Sequence, residues 1–165
     1  MKKIVQAAFA VLAMMAATRA LAQSDAQKSF DRLKVLSGTW EGTASQGKPV
    51  QVVFRDTAGG SALISEIHGQ GHEDMVSMIH LDGPSKLLLT HYCSAGNQPR
   101  MQASPSADGK SITFKFIDAT NLATPDAGHM QTLVVTMADA NHHTEEWTFA
   151  NHGQEMKEVF DLHRQ

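Results

Sequence analysis

The chain has 165 residues, with 14 basic and 17 acidic side chains and a formal net charge of −3. This length suits one domain with a single hydrophobic core. The basic residues form no cluster, which argues against nucleic acid or an anionic membrane surface as a partner. Cys93 is the only cysteine, which excludes an internal disulfide.

The first 22 residues have the pattern of a secretory signal peptide. Lys2 and Lys3 precede an apolar run, and Ala20-Leu21-Ala22 is a small-x-small cleavage site. A membrane anchor is the alternative, but the run is shorter than the roughly 20 residues that a spanning helix needs. We therefore expect a periplasmic or secreted domain of residues 23–165 without a membrane anchor. Losing Lys2, Lys3 and Arg19 leaves 11 basic residues against 17 acidic ones, a net charge of −6.

The rest of the chain predicts one short helix followed by strands. Residues 24–35 place Phe30 and Leu33 at helical spacing. Turn residues then separate short apolar runs in the way typical of all-β proteins. Ten antiparallel strands in meander order leave two exposed edges unless they close, so we predict an all-β, closed up-and-down barrel with a short N-terminal helix. The predicted strands lie within residues 36–43, 50–54, 63–67, 75–80, 87–93, 98–101, 111–117, 132–137, 144–149 and 156–162.

The hairpin at residues 90–101 carries the densest set of chemically capable side chains. Period-two alternation places His91 and Cys93 on the same face as Leu87 and Leu89, which predicts that both face the interior. His91 is then either a core histidine bonded to a neighbour or a ligand contact or general base. Cys93 is either a buried small hydrophobe or a reactive thiol.

The following strand offers two alternatives for Arg100. If Gln98 and Arg100 face inward, the guanidinium needs an anion, either a ligand's carboxylate or Glu145. If Pro99 and Met101 face inward instead, Arg100 is an ordinary surface residue. No recognised metal-ligand spacing occurs among the nine histidines, so no specific metal site is predicted.

Three segments of the sequence carry a resemblance to known proteins. Residues 36–42 (Leu-Ser-Gly-Thr-Trp-Glu-Gly), 91–93 (His-Tyr-Cys) and 96–101 (Gly-Asn-Gln-Pro-Arg-Met) resemble those of a family of uncharacterised bacterial secreted proteins. The Gly-x-Trp-x-Gly opening is also similar to the first strand of the calycin group: lipocalins, fatty-acid-binding proteins and nitrobindin-like haem-binding barrels.

The calycin resemblance implies a closed barrel with an internal cavity for an apolar or amphipathic small molecule. The nitrobindin-like members imply haem as a candidate cofactor, held by a histidine near the C-terminus, where this chain has His163. However, inward-facing Phe160 and Leu162 would point His163 outward.

These observations favour a small-molecule-binding barrel with a polar cluster in its cavity. One alternative is a small hydrolase or isomerase in which His91 is the base and Arg100 stabilises a developing anion. Another is a structural protein whose barrel is filled by side chains. The predicted ligand-binding residues are Trp40, His91, Cys93, Asn97, Gln98, Arg100, Glu145 and Trp147.

Overall fold

The structure is a computed structural model that describes residues 23–69 and 74–165. The predicted signal peptide lies outside the described residues. Within the described ranges, no helix has the length and hydrophobicity that crossing a membrane requires.

In the described part of the chain, one α-helix, α1 (Asp25–Lys34), precedes the strands. Ser24 is its N-cap, and its hydroxyl accepts a hydrogen bond from the Gln27 amide at 3.1 Å. Asp25 in the first turn and Lys34 in the last suit the helix dipole. The helix begins and ends within one residue of its predicted bounds. The sequence marks both ends, with Ser24 and Asp25 at the start and Lys34 in the last turn.

Ten antiparallel strands form a closed barrel in which each strand pairs with its neighbours in sequence and the first pairs with the last. This confirms the predicted all-β architecture. The strands are β1 (Gly38–Thr43), β2 (Pro49–Thr57), β3 (Ala62–Gly69), β4 (Met75–Asp82), β5 (Lys86–Tyr92), β6 (Gln98–Pro105), β7 (Ser111–Thr120), β8 (His129–Met137), β9 (His142–Asn151) and β10 (Gln154–Arg164).

The helix covers one end of the barrel, which we call the closed end. Phe30 and Leu33 are buried there, and Leu33 meets core residues that include Phe54 and Leu89. The opposite end, which we call the open end, is where β5 and β9 finish and β4, β8 and β10 begin. The hydrophobic core lies inside the barrel, between the helix and the open end.

The Gly-x-Trp-x-Gly opening lies in β1, where that strand pairs with β10. A side chain at Gly42 would place its Cβ 1.7 Å from the Asp161 carbonyl oxygen, so only glycine allows this close approach. Trp40 is fully buried, and its indole Nε1 donates to the Leu36 carbonyl at 2.7 Å. The motif therefore supports the closure of the barrel.

Candidate functional site

A cavity of about 390 Å³, which we call the main cavity, opens at the open end of the barrel. Most of its walls are apolar, and its rim carries a lysine and a glutamate. A cavity of this size falls within the range of small-molecule sites. Its lining residues are Ile67, Met75, His91, Cys93, Ser94, Ala95, Met130, Trp147, Phe149, Met156, Lys157, Glu158 and Phe160.

His91 is the buried polar side chain of this cavity. It is 0 % exposed, and its Nδ1 lies 2.9 Å from the Ser77 hydroxyl oxygen. Its Nε2 has no hydrogen-bond partner among the described residues. Burial disfavours the charged imidazole and lowers the pKa of His91 to about 4. At neutral pH the wall of the cavity therefore includes an uncharged imidazole, one of whose ring nitrogens has no partner among the described residues.

Cys93 lines the same cavity, two residues further along the chain. The thiol is half-buried, and this burial raises its pKa, although a hydrogen bond from the Ala95 backbone acts in the opposite direction. A raised pKa keeps the sulfur protonated and weakly nucleophilic. His91 and Cys93 thus face inward as predicted, and Cys93 has the properties of a wall residue.

Trp147 connects this cavity to a buried polar group deeper in the barrel. Its ring lies 4.8 Å from the His91 ring, and its Nε1 donates to Glu145 Oε2 at 2.9 Å. The other Glu145 oxygen lies 3.5 Å from Nε2 of buried His143. Glu145 lines a separate cavity of about 10 Å³, together with Ser77. Glu145 is therefore interior as predicted, but it lies below the main cavity rather than in its wall.

The structure corrects the predicted positions of Arg100 and Gln98. The inward face of β6 is that of Pro99 and Met101, so the alternative in which Arg100 lies on the surface is the right one. The Arg100 side chain is 52 % exposed and makes a two-pronged ion pair with Asp118, with Nε–Oδ1 at 2.6 Å. This pair lowers the pKa of Asp118 through hydrogen bonding and charge. Arg100 therefore has no contact with Glu145 or the main cavity.

Gln98 and Asn97 both hold the hairpin in place. Gln98 accepts a hydrogen bond from the Thr120 hydroxyl at 2.7 Å on the outer side of the sheet. Asn97 is buried, and its amide donates to the Gly128 carbonyl at 2.8 Å, which ties this hairpin to the segment before β8. Neither residue lines the main cavity.

Trp40 also lies away from the main cavity, in the core near the closed end. Of the eight predicted ligand contacts, His91, Cys93 and Trp147 line the main cavity. The wall residues that the prediction missed include Met75, Met130 and Met156. Period-two alternation could have placed Met75 and Met156 inward. It would have placed Met130 outward, because the inward residues Leu133 and Val135 have the other parity and a bulge lies between Met130 and Thr132.

The geometry removes the basis of two alternatives. Arg100 borders an outer groove with Leu88 and Gln102, whereas His91 lines the interior, so the proposed base and anion-stabilising group share no cavity. His163 is 62 % exposed on the outer face of β10. It therefore cannot hold a haem iron inside the barrel.

Comparison with known proteins supports the fold. The chain is similar in structure to Rv2717c from M. tuberculosis, with a TM-score of 0.59 and 17 % sequence identity. The match covers 83 % of this chain and 97 % of that one. The two proteins share a barrel fold. No protein-family model matches the chain, and comparison with curated proteins gives no match.

Proposed function

We propose that this protein binds a small apolar molecule carrying one uncharged hydrogen-bonding group, and that it does so in the periplasm or outside the cell. The observation that supports this most strongly is the buried, unpartnered Nε2 of His91, a residue in the wall of a largely apolar cavity of about 390 Å³. Leaving a buried polar atom unpaired costs about 1–3 kcal/mol, which a bound ligand's polar atom would offset. The proposed location depends on the predicted signal peptide.

The charge of the ligand follows from the charges of the wall. His91 is neutral, and the cationic Arg100 is on the outside of the barrel. Lys157 is at the rim, where its ammonium already contacts Glu146 at 2.6 Å, and Glu158 lies beside it. The described residues therefore provide no cation that would offset the desolvation of a carboxylate head group in the cavity. An alcohol, ketone, aldehyde or ester carries no charge, so its head group enters without the cost of desolvating an ion.

The test is a titration with two probes that differ only in the head group, 1-octanol and octanoate, at neutral pH. Binding is followed by calorimetry and by tryptophan fluorescence, to which Trp147 in the cavity wall contributes. We expect 1-octanol to bind at least about tenfold more tightly than octanoate, because the carboxylate must be desolvated. Equal affinity, tighter octanoate binding or no binding of either probe would contradict the proposal.

Two variants connect the binding to the cavity. His91→Leu removes the hydrogen bond and is expected to weaken 1-octanol about three- to tenfold. Arg100→Ala is the matched control on the neighbouring strand, and it should leave the affinity unchanged. Haem is tested in parallel, and one-to-one haem binding that excludes 1-octanol would replace the proposed ligand class.

A further inference from the structure

Three side chains with metal-binding atoms meet on the outer wall of the barrel, away from the cavity. They are His142 on β9 and Asp161 and His163 on β10, and one ligand atom from each lies within 4.8 Å of the others. His142 Nε2 is 2.7 Å from Asp161 Oδ1, and His163 Nε2 is 3.6 Å from the same oxygen. We call this group the β9–β10 cluster.

The strand register produces this arrangement. His163 is the direct cross-strand partner of His142, and Asp161 is two residues before His163 on the same face. The two imidazole rings stack with their centroids 4.5 Å apart and their planes 12° from parallel. Because all three residues stand on paired strands of a closed barrel, the backbone keeps the three side chains side by side on the outer face.

We propose that the β9–β10 cluster binds a late first-row divalent metal ion, for which Zn²⁺ is the probe. Two imidazole nitrogens and one carboxylate oxygen form a ligand set that suits zinc, nickel and copper. Two ligand atoms on a common zinc lie at most roughly 4 Å apart. The distances from Asp161 Oδ1 to the two imidazole nitrogens, 2.7 and 3.6 Å, already lie within that limit.

The surroundings of the cluster also favour a cation. Glu41 on β1 is the cross-strand partner of His163 on its other side, so a second carboxylate neighbours the group. The Glu41 carboxylate accepts one hydrogen bond, from Gln51 Nε2 at 3.0 Å. Asp161 and His163 are 56 % and 62 % exposed, so an ion has access to the cluster and retains positions for water or another ligand.

The experiment titrates Zn²⁺ into the tag-free protein and measures stoichiometry and affinity by calorimetry. We expect one zinc ion per chain, with the affinity falling at least about tenfold in His142→Gln and in Asp161→Asn. His152→Gln is the matched control, because His152 and Asp126 form an exposed pair at 2.8 Å that has no third ligand among the described residues. This variant should bind zinc like the wild type.

A second measurement separates binding from folding. Zinc should raise the midpoint of thermal unfolding of the wild type and of His152→Gln, but not of His142→Gln, provided that all three unfold at similar temperatures without zinc. The proposal is wrong if the wild type binds no zinc, or if the substitutions in the cluster leave the affinity unchanged. This result would not affect the cavity proposal, because the cluster and the cavity share no residue.

Discussion

The guanidinium carbon of Arg164 lies 4.3 Å from the centroid of the Trp40 ring, a contact that joins the last strand of the barrel to the first. The same guanidinium donates to three carbonyl oxygens: Val35 at 2.9 Å, Ser37 at 3.0 Å and Ala140 at 3.1 Å. The bonds to Val35 and Ser37 connect the end of β10 to the segment between α1 and β1, and the bond to Ala140 connects it to the turn between β8 and β9. One side chain therefore fastens the closed end of the barrel.

Replacing Arg164 with lysine tests this role. An ammonium cannot donate to three separate carbonyls in the plane of a guanidinium, nor stack flat on an indole. We expect Arg164→Lys to lower the free energy of unfolding in urea by about 1–3 kcal/mol. Arg55→Lys is the control, since Arg55 makes an exposed ion pair with Glu66 at 3.8 Å and should change stability little. If the two substitutions lowered the free energy of unfolding by similar amounts, Arg164 would not fasten the closed end in the way described.

The buried carboxylate of Glu145 should be needed for stability as an acceptor. It accepts from Trp147 and lies beside His143, so Glu145→Leu leaves those donors unpaired. We expect Glu145→Leu to cost about 1–3 kcal/mol in denaturant unfolding and to shift the emission of Trp147. Glu145→Gln retains an acceptor and should cost less.

The adjacent Glu146 provides the control for Glu145. Its side chain faces outward and pairs with Lys157 on the surface. Glu146→Gln should therefore have a much smaller effect than Glu145→Leu. Equal losses for the two residues would mean that burial of the carboxylate is not the cause.

Stability should fall as the pH drops from 6.5 towards 4, in part because of His91. The folded protein keeps this imidazole neutral down to its pKa of about 4, whereas the unfolded chain takes up the proton near 6.5. The unfolded state thus binds more protons in this window, at a cost to folding of roughly 3 kcal/mol by pH 4. The pH dependence of His91→Gln should be shallower by about that amount.

Imidazole NMR signals measure the same quantity directly. The His91 ring should stay neutral through pH 5, while exposed His152 provides the comparison in the same sample. A His91 titration near 6.5 would show that the ring is hydrated, and the buried, largely apolar environment described for this side chain would then be wrong.

The position of Arg100 outside the barrel can be tested through its partner. Arg100 lowers the pKa of Asp118, so Arg100→Gln should raise that pKa towards its ordinary value. Carboxyl-detected NMR titration of Asp118 measures the change. The 1-octanol titration of the same variant should match that of the wild type. If the variant lost 1-octanol binding while the pKa of Asp118 stayed the same, Arg100 would have to contact the ligand in the cavity rather than Asp118.

The sequence predicts the barrel well because its strands alternate clearly and its turns are marked by glycine, asparagine and aspartate. It does not decide which face of β6 points inward. One face carries polar Gln98 and Arg100, the other carries apolar Pro99 and Met101, and the pattern is compatible with either orientation. The polar motif favoured the wrong face, and the bulge between Arg100 and Met101 adds a register shift that alternation does not reveal.

Sequence patterns also do not predict the contacts that depend on barrel closure. Arg164 and Trp40 are far apart in the chain, and only the register between β1 and β10 brings them together. The β9–β10 cluster has the same origin, because the D-x-H pair of Asp161 and His163 gains its second imidazole from another strand. Spacing along one segment therefore gave no metal motif.

A crystal structure with 8-bromo-1-octanol most directly tests the claim that the open end holds an apolar ligand through His91. The bromine has an anomalous signal that locates the chain of the ligand without ambiguity. The account predicts bromine inside the cavity lined by Trp147 and Met130, with the hydroxyl oxygen about 2.7–3.2 Å from His91 Nε2. An empty cavity, or a hydroxyl group bound away from His91, would contradict it.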